Sequence, residues 1–409
     1  MTTARNEEEE RSECEALAYL VTRFATKEIA PHVPAWDQAG EFPRELYKRA
    51  AQLGLLGLGY PEDLGGTPAS HRMRNAMTLA LARHGASGGV LAGLFSHNIG
   101  LPPVVRHGSL ELQGLVVPPV LRGEMIAALA ITEPGGGSDV SALRTSARLD
   151  GDHYVIDGEK TFITSGMRAD FITVAARTGE GRASGDGLDT LPGDLPGRGA
   201  HRISLLLVPG DAKGLTRSPL QKMGWWCSDT AQLHFDGVRV PARNLIGEPG
   251  EGFKIIMTNF NAERLAMSVG ALGFAQACYD EALDWARQRV TFGQPLVERQ
   301  VIRHKLVDMQ MRIASTQAWV DAVTRSADAG DEVAGGETTA HWVAQVCMLK
   351  NHATQTMQFC ADQAVQILGG MGFMRGTRSE RIYREVKVMM IGGGSEEIMK
   401  ELAARQLGF

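Results

Sequence analysis

Two short stretches of the sequence hold carboxylates where acid–base chemistry could be done. In NFNAERLAMSVGALGF, residues 259–274, Glu263 sits in a run with helical periodicity. The residues three, four and seven positions away on its face are Ile256, Asn259, Phe260, Ala266, Met267 and Gly270. A carboxylate on a mainly apolar stripe loses hydration, which raises its pKa toward that of a general base useful at neutral pH. The competing structural reading is a buried ion pair. Arg264 is a poor partner, because consecutive helical residues point about 100 degrees apart. The second stretch is MMIGGGSEEIM, 389–399, where Ser395, Glu396 and Glu397 follow three glycines. Taken alone it reads as a phosphate cradle, a helix start or a catalytic loop. Acidic residues just after Ser395 suit the positive end of a helix dipole.

Other segments carry binding rather than proton-transfer chemistry. AITEPGGGSD, 130–139, joins Thr132 and Ser138 to three bare glycines, so backbone and hydroxyls can approach a polar ring edge or a phosphate. It lacks the Lys-Ser/Thr ending of a nucleoside-triphosphate loop. GEKTFITSG, 158–166, reads most simply as a strand with Phe162 in the core. RVTFGQPLVERQ, 289–300, puts Arg289 near a helix end, where its fork of donors could hold phosphate oxygens, although solvation is the ordinary fate of such an arginine. QILGGMGF, 366–373, reads as a helix closed by glycines.

The elements positioning these residues fall into three blocks: an N-terminal helical domain (1–125), a middle antiparallel β domain (126–245) and a C-terminal helical bundle (246–409). Apolar residues at three- and four-residue spacing, such as Leu17, Leu20, Val21 and Phe24, mark the first block. HYVIDG (153–158), DFITVAA (170–176), ISLLLVP (203–209) and AQLHFDGVRVP (231–241) are short β-branched and aromatic runs bounded by turn residues. Helical periodicity returns over 253–289, about 300–328 and about 337–368. Glycine, proline and missing apolar pattern mark 178–200 as a flexible surface loop.

With 409 residues and 44% apolar content the chain can bury several cores. A net charge of −5 gives no reason to bind nucleic acid or an anionic membrane. The run Glu7–Glu10 is a solvated arm or a first helical turn. Five widely spaced cysteines without a CxxC pair suggest neither disulfides nor a metal site, and fit a reducing cytoplasmic setting. No apolar run reaches the roughly 20 residues needed to span a bilayer.

In this order and spacing, the segments resemble the acyl-CoA dehydrogenase family, beginning with EFPRELYKRAAQLGLLGLGYPEDLGG (41–66) and extending along nearly the whole chain. The resemblance implies a mainly α fold with a middle β domain, FAD as cofactor, and oxidation of an acyl-CoA thioester to the trans-2-enoyl-CoA in fatty acid β-oxidation. Electrons would pass to an electron-transfer flavoprotein. Direct use of oxygen, as in an oxidase, and a non-catalytic acyl-CoA-binding relative are the alternatives.

By resemblance, Ile131, Thr132, Gly137 and Ser138 line the flavin, with Ser138 also near the CoA arm. Phe162, Ile163 and Thr164 cover its other side; many members have Trp at the position of Phe162. Arg289, Thr291, Gln300, Gln366, Leu368, Gly369 and Gly370 hold the pyrophosphate and adenosine of a neighbouring subunit's FAD, implying a homotetramer built as a dimer of dimers. Ser395 and Glu397 complete the cofactor set, and Asn261 and Arg264 lie near CoA. Many members carry a Tyr-Glu-Gly-Thr stretch in the C-terminal loop, whose Glu removes the α-proton. The matching residues here are Gly392, Gly393, Gly394 and Ser395, so the loop lacks a base. Isovaleryl-CoA and long-chain enzymes place the base on the first long helix of the bundle, at the position of Glu263. Gly393 keeps a backbone role, its N–H meeting the thioester oxygen. The missing side chain at Gly393 implies spare room for a methyl branch.

Overall fold

The computed structural model describes residues 7–178, 202–331, 333–334 and 337–409. The loop expected at 178–200 lies outside the described residues, apart from Thr178. Helix α1 (Glu7–Phe24) opens with Glu7–Glu10 in its first turn, so the acidic run is a helix start facing the dipole's positive end. A π-helical turn, Ala25–Ile29, continues it. Then come α2 (Val33–Ala39), α3 (Glu45–Gln52), α4 (His71–Gly85), α5 (Gly88–Leu94), α6 (His97–Gly100), α7 (Pro102–His107) and α8 (Leu110–Leu121). Ser70, Ser87 and Ser109 cap α4, α5 and α8 through their side-chain oxygens.

Among the described residues the middle of the chain forms an eight-stranded sheet: β1 (Ala127–Ala130), β2 (Ser146–Asp150), β3 (His153–Thr164), β4 (Phe171–Thr178), β5 (Ile203–Pro209), β6 (Leu215–Pro219), β7 (Thr230–Pro241) and β8 (Leu245–Ile246). The expectation of antiparallel pairing holds for most of it but not all. Both β1 and β2 run parallel to β4, because the chain crosses from β1 through a loop before returning. β3 unites two segments read separately, HYVIDG and the first part of GEKTFITSG, and bulges between Lys160 and Ile163.

The C-terminal bundle is built on α9 (Gly252–Gln288), α10 (Gln300–Asp328) and α11 (Ala340–Leu368), with the short α12 (Gly370–Phe373), then α13 (Arg378–Ile391) and α14 (Glu396–Leu407). Small hairpin strands β9 (Val290–Thr291) and β10 (Gln294–Pro295) join α9 to α10. Helix α9 packs against α11, α10, α13 and α4. Gly273 permits the α4 contact: a Cβ there would fall 2.7 Å from Cβ of Ala82 and 2.9 Å from the Leu79 carbonyl. Leu272, Phe274 and Cys278 of α9 join Leu349, Ala353 and Met357 of α11 in the bundle core. A second core lies between the sheet and α7–α8, and includes Ile255 and Ile256 from the start of α9. All three blocks thereby meet around the N-terminal half of α9. Among the described residues no helix is long and apolar enough to cross a membrane, and no group of acids, cysteines and histidines is arranged to hold a metal.

Candidate active site

A cavity of about 1780 Å³ opens where the three blocks meet. Glu263 of α9 lies on its wall, half-buried. Among the described residues its carboxylate receives no hydrogen bond and no ion pair. Burial pushes its pKa from 4.5 up to about 7, against the pull of Arg264 and Lys350. The alternative Glu–Arg pair is not formed. The buried Arg264 turns away, donating from Nε to the Gly393 carbonyl (3.0 Å) and from Nη1 to Asn261 Oδ1 (3.0 Å), with its guanidinium 5.7 Å from the Phe260 ring centre.

The triple-glycine loop lines the same cavity and packs against α9. Helix α13 closes with the Gly392 N–H on the Val388 carbonyl (2.7 Å), and Gly393 and Gly394 take φ of +67° and +108°. Such angles suit glycine and strain other residues. A Cβ on Gly393 would lie 2.9 Å from the sulfur of Met267. The spare room expected there is therefore taken by the methionine one turn beyond Glu263. Ser395 caps α14, its hydroxyl accepting from the Ile398 N–H at 3.4 Å. Glu396 pairs with Lys400 (2.7 Å) and accepts from Gln355 Nε2 (2.7 Å). Glu397 is exposed, and its own backbone N–H and the Ser395 hydroxyl hold its carboxyl below the ordinary range. Both acids belong to the first turn of α14; Ser395 lines the cavity and Glu397 does not.

Sequence reasoning missed what lies beneath the loop. Lys350, fully buried in α11, donates to the Gly394 carbonyl and, at 3.5 Å, to the Met390 carbonyl. Its neighbour Asn351 donates to the Glu396 carbonyl at 2.9 Å. The available signal was a lysine in the midst of the periodic run WVAQVCMLKNHATQTM.

Another part of the wall comes from the sheet and its loops. Ile131 is buried, while Gly137 and Ser138 are exposed at the cavity. The loop between β1 and β2 is anchored by Glu133, also unforeseen. Its carboxylate accepts from the Arg144 N–H (2.6 Å), the Thr145 N–H (2.8 Å) and Lys160 Nζ (2.8 Å), while Lys160 also donates to the Ile131 carbonyl (2.9 Å). Burial opposes charge at both ends, lowering Lys160 to about 8, yet Lys160 and the Thr145 donors hold the Glu133 carboxyl below its usual range. The Thr161 N–H to Thr132 carbonyl bond (2.8 Å) ties this loop to β3.

Phe162 departs from the core position expected of a strand residue. At the β3 bulge it takes φ of +61° and stands 69% exposed at the cavity, between buried Thr161 and Ile163. A left-handed backbone at an aromatic residue is costly and concentrates at binding sites. Thr132, Ser138 and Thr164, all on the cavity, make no side-chain hydrogen bond among the described residues.

The remaining expected residues lie elsewhere. Arg289 ends α9, exposed and without a side-chain partner among the described residues. Thr291 is in β9, its carbonyl accepting from Arg299 Nη2 (2.9 Å), and Gln300 begins α10. Gln366 is exposed and Leu368 buried at the end of α11, where Gly369 (φ +61°) and Gly370 stop the helix. These residues do not line the large cavity of their own chain.

The sequence matches three family models in order: acyl-CoA dehydrogenase N-terminal domain over residues 11–124, middle domain over 128–238 and C-terminal domain over 250–408. It is 35% identical to Bacillus subtilis YngJ over 391 residues, covering 95% of this chain and 96% of that protein. It is 33% identical to the rat mitochondrial long-chain specific acyl-CoA dehydrogenase over 397 residues, covering 97% and 86%. A crystal structure from Mycobacterium smegmatis that bears the acyl-CoA dehydrogenase name superposes with a TM-score of 0.89 at 44% identity, covering 97% of this chain and 98% of the other. Agreement in domain order, identity and backbone extends along almost the whole chain, so it belongs to the acyl-CoA dehydrogenase family of oxidoreductases.

Proposed function

We propose that the protein is an FAD-dependent acyl-CoA dehydrogenase that forms the trans-2-enoyl-CoA with Glu263 as its base. The observation carrying this reading is the unpartnered carboxylate on the cavity wall, with a pKa raised to about 7. A base poised near neutrality can be ionised when substrate arrives and still hold the proton it removes. The absence of a carboxylate from the glycine loop and the engagement of Glu396 with Lys400 leave Glu263 as the acid–base group on the cavity that the loop lines.

The residues present fit FAD. An exposed phenyl ring held at a strained backbone position suits stacking on a planar ring, and the free hydroxyls of Thr132 and Thr164 suit its polar edges. When bound, FAD supplies the acceptor for the hydride that leaves the β-carbon. Ile131, Thr132, Gly137 and Ser138 would hold one side of it, and Phe162, Ile163 and Thr164 the other. Glu263 takes the α-proton onto a carboxylate oxygen. Negative charge then grows on the thioester oxygen, where the Gly393 N–H is the donor expected to meet it. Asn261 and Arg264, joined to each other and to the loop, border the CoA side.

Arg289, Thr291, Gln300, Gln366, Leu368, Gly369, Gly370, Ser395 and Glu397 complete the proposed cofactor set, those from Arg289 to Gly370 serving the FAD of a neighbouring subunit in a homotetramer. Phe292 and Phe373, 97% and 86% exposed beside these residues, support a surface covered by another copy. The acceptor is an electron-transfer flavoprotein, and the unpaired cysteines suit work in the cytoplasm. Anaerobic titration of the yellow protein with straight and branched acyl-CoAs tests the reading: bleaching of the flavin absorbance is expected. No bleaching with any thioester would overturn it, and equal turnover with oxygen as acceptor would reassign it to an oxidase.

A further inference from the structure

We infer that Lys350 is a positioning residue for this reaction: from beneath the triple-glycine loop its buried ammonium holds the loop backbone and places a positive charge under it. The inference rests on the assignment of Glu263 as base. Three contacts hold the loop, and two come from α11. Arg264 binds the Gly393 carbonyl, Lys350 the Gly394 carbonyl and Asn351 the Glu396 carbonyl. With the carbonyls of Gly393 and Gly394 turned toward cations, the peptide planes after both residues are fixed where the backbone takes φ of +67° and +108°.

The chemistry of Lys350 is unusual for a residue that only packs. Its ammonium is fully buried, yet it forms no ion pair among the described residues and binds only main-chain carbonyls. A buried charge without a counterion is expensive, and an apolar side chain would fill the same helix position at lower cost. The charged and titratable groups whose fields reach Lys350 are Arg264 and Glu263 from α9, Cys347 from its own helix and Glu396 from α14. From α13 it meets the Met390 carbonyl. Glu396 is engaged with Lys400, and Arg264 repels Lys350. Glu263 in turn feels Arg264 and Lys350, both of which favour its ionised form. The buried ammonium therefore opposes the desolvation that would otherwise carry the base above a useful range. It also places positive charge under the loop that faces the developing thioester oxyanion.

Lys350 itself is lowered to about 8 by burial and by Arg264. The free enzyme should show a rising limb near pH 7 as Glu263 ionises and a falling limb near pH 8 as Lys350 loses its proton. The experiment is the pH profile of kcat/KM for the FAD-loaded wild type, Lys350→Met and Lys350→Arg. Alongside it, carbon-13 NMR titrates the Glu263 carboxyl, assigned by its absence in Glu263→Gln. In Lys350→Met the acid limb and the NMR midpoint should both move to higher pH, with kcat/KM at pH 7 falling about tenfold or more, within the scale of acid–base effects. In Lys350→Arg the acid limb should stay and the alkaline limb should vanish, since a guanidinium keeps its proton. Should the Met variant not fold, the arginine variant decides: retention of the alkaline limb overturns the inference. Unmoved profile and midpoint in a folded Lys350→Met also overturn it, whatever the change in thermal stability. Failure of the wild type to oxidise any acyl-CoA would instead sink the functional reading, while the NMR midpoint still reports whether Lys350 governs Glu263.

Discussion

The sulfur of Met267 lies 2.9 Å from the point where a side chain on Gly393 would begin. Met267 is one helical turn beyond Glu263, so the face of α9 that carries Glu263 also fills the space left empty by the loop. A methionine there is adaptable, having three rotatable bonds and a polarizable sulfur. Branch tolerance near the reacting carbons therefore depends on Met267 rather than on the absence of a loop side chain. In Met267→Ala, the kcat/KM ratio of 3-methyl to straight-chain thioesters of equal length should rise about tenfold, within the 1–3 kcal/mol that a methyl group is worth in an apolar pocket. An unchanged or falling ratio would place the branch elsewhere in the cavity.

Glu263→Gln should keep its FAD and bind acyl-CoA, yet lose at least ~100-fold in the rate of flavin reduction, the scale of a lost general base. Glu396→Gln and Glu397→Gln should stay near the wild-type rate, because these side chains serve the start of α14. Adding Gly393→Glu to Glu263→Gln should not restore the rate. The new side chain would need φ of +67° and would collide with Met267. Stopped-flow absorbance of the four variants measures all of this, and rapid reduction in Glu263→Gln would return the base to the loop.

How far the sequence carried depended on whether a residue's role was written in its own neighbourhood. The desolvated setting of Glu263 was legible because a carboxylate on an apolar stripe conflicts with its surroundings, and the cap at Ser395 because a capping residue followed by acids is a local pattern. Helices α9 and α10 begin and end within a residue of the periodicity. Lys350, Glu133 and Lys160 were not legible, because their partners lie 44, 11 to 12 and 27 residues away. Periodicity alone does not tell which buried lysine meets which carbonyl. The local reading of Phe162 as a strand residue in the core fails for a related reason, while its place at the cavity agrees with the resemblance: a bulge inside β3 turns outward a side chain that strand alternation alone would not place at a left-handed position. The parallel pairing of β1 and β2 with β4 likewise depends on a chain crossing that leaves no mark on the strands themselves.

A second buried carboxylate gives the protein a pH-dependent stability. Glu385 on α13 is fully buried and accepts from the Gly88 N–H at 2.8 Å; burial raises its pKa from 4.5 to about 7 despite that bond and the nearby Arg381 and Arg384. The folded state thus binds a proton more tightly than the unfolded chain, and stability from this group is complete below about pH 4.5 and lost as pH rises through 7. Glu263 acts in the same direction. The melting temperature should fall between pH 5 and pH 8, and Glu385→Gln should flatten that fall. Parallel curves for wild type and Glu385→Gln from thermal unfolding at fixed ionic strength would show that Glu385 is already ionised at pH 5.

Arg289 is the sharpest probe of the proposed subunit arrangement. Its guanidinium leaves the end of α9 without a partner in its own chain among the described residues and outside the large cavity, and Phe292, three residues on, is exposed. An arginine that served only solubility could be truncated with little effect, since isolated surface charges contribute little to stability. One that grips the pyrophosphate of a neighbouring subunit's FAD would couple two measurements, because a ligand bound across an interface stabilises the assembly by mass action. Arg289→Ala should therefore lower the ratio of flavin to protein absorbance and, at the same protein concentration, shift the sedimentation profile toward smaller species. Added FAD should reverse part of both changes. A variant with full flavin content that sediments as a monomer would separate the two effects, and would remove Arg289 from the cofactor site while leaving it in the interface.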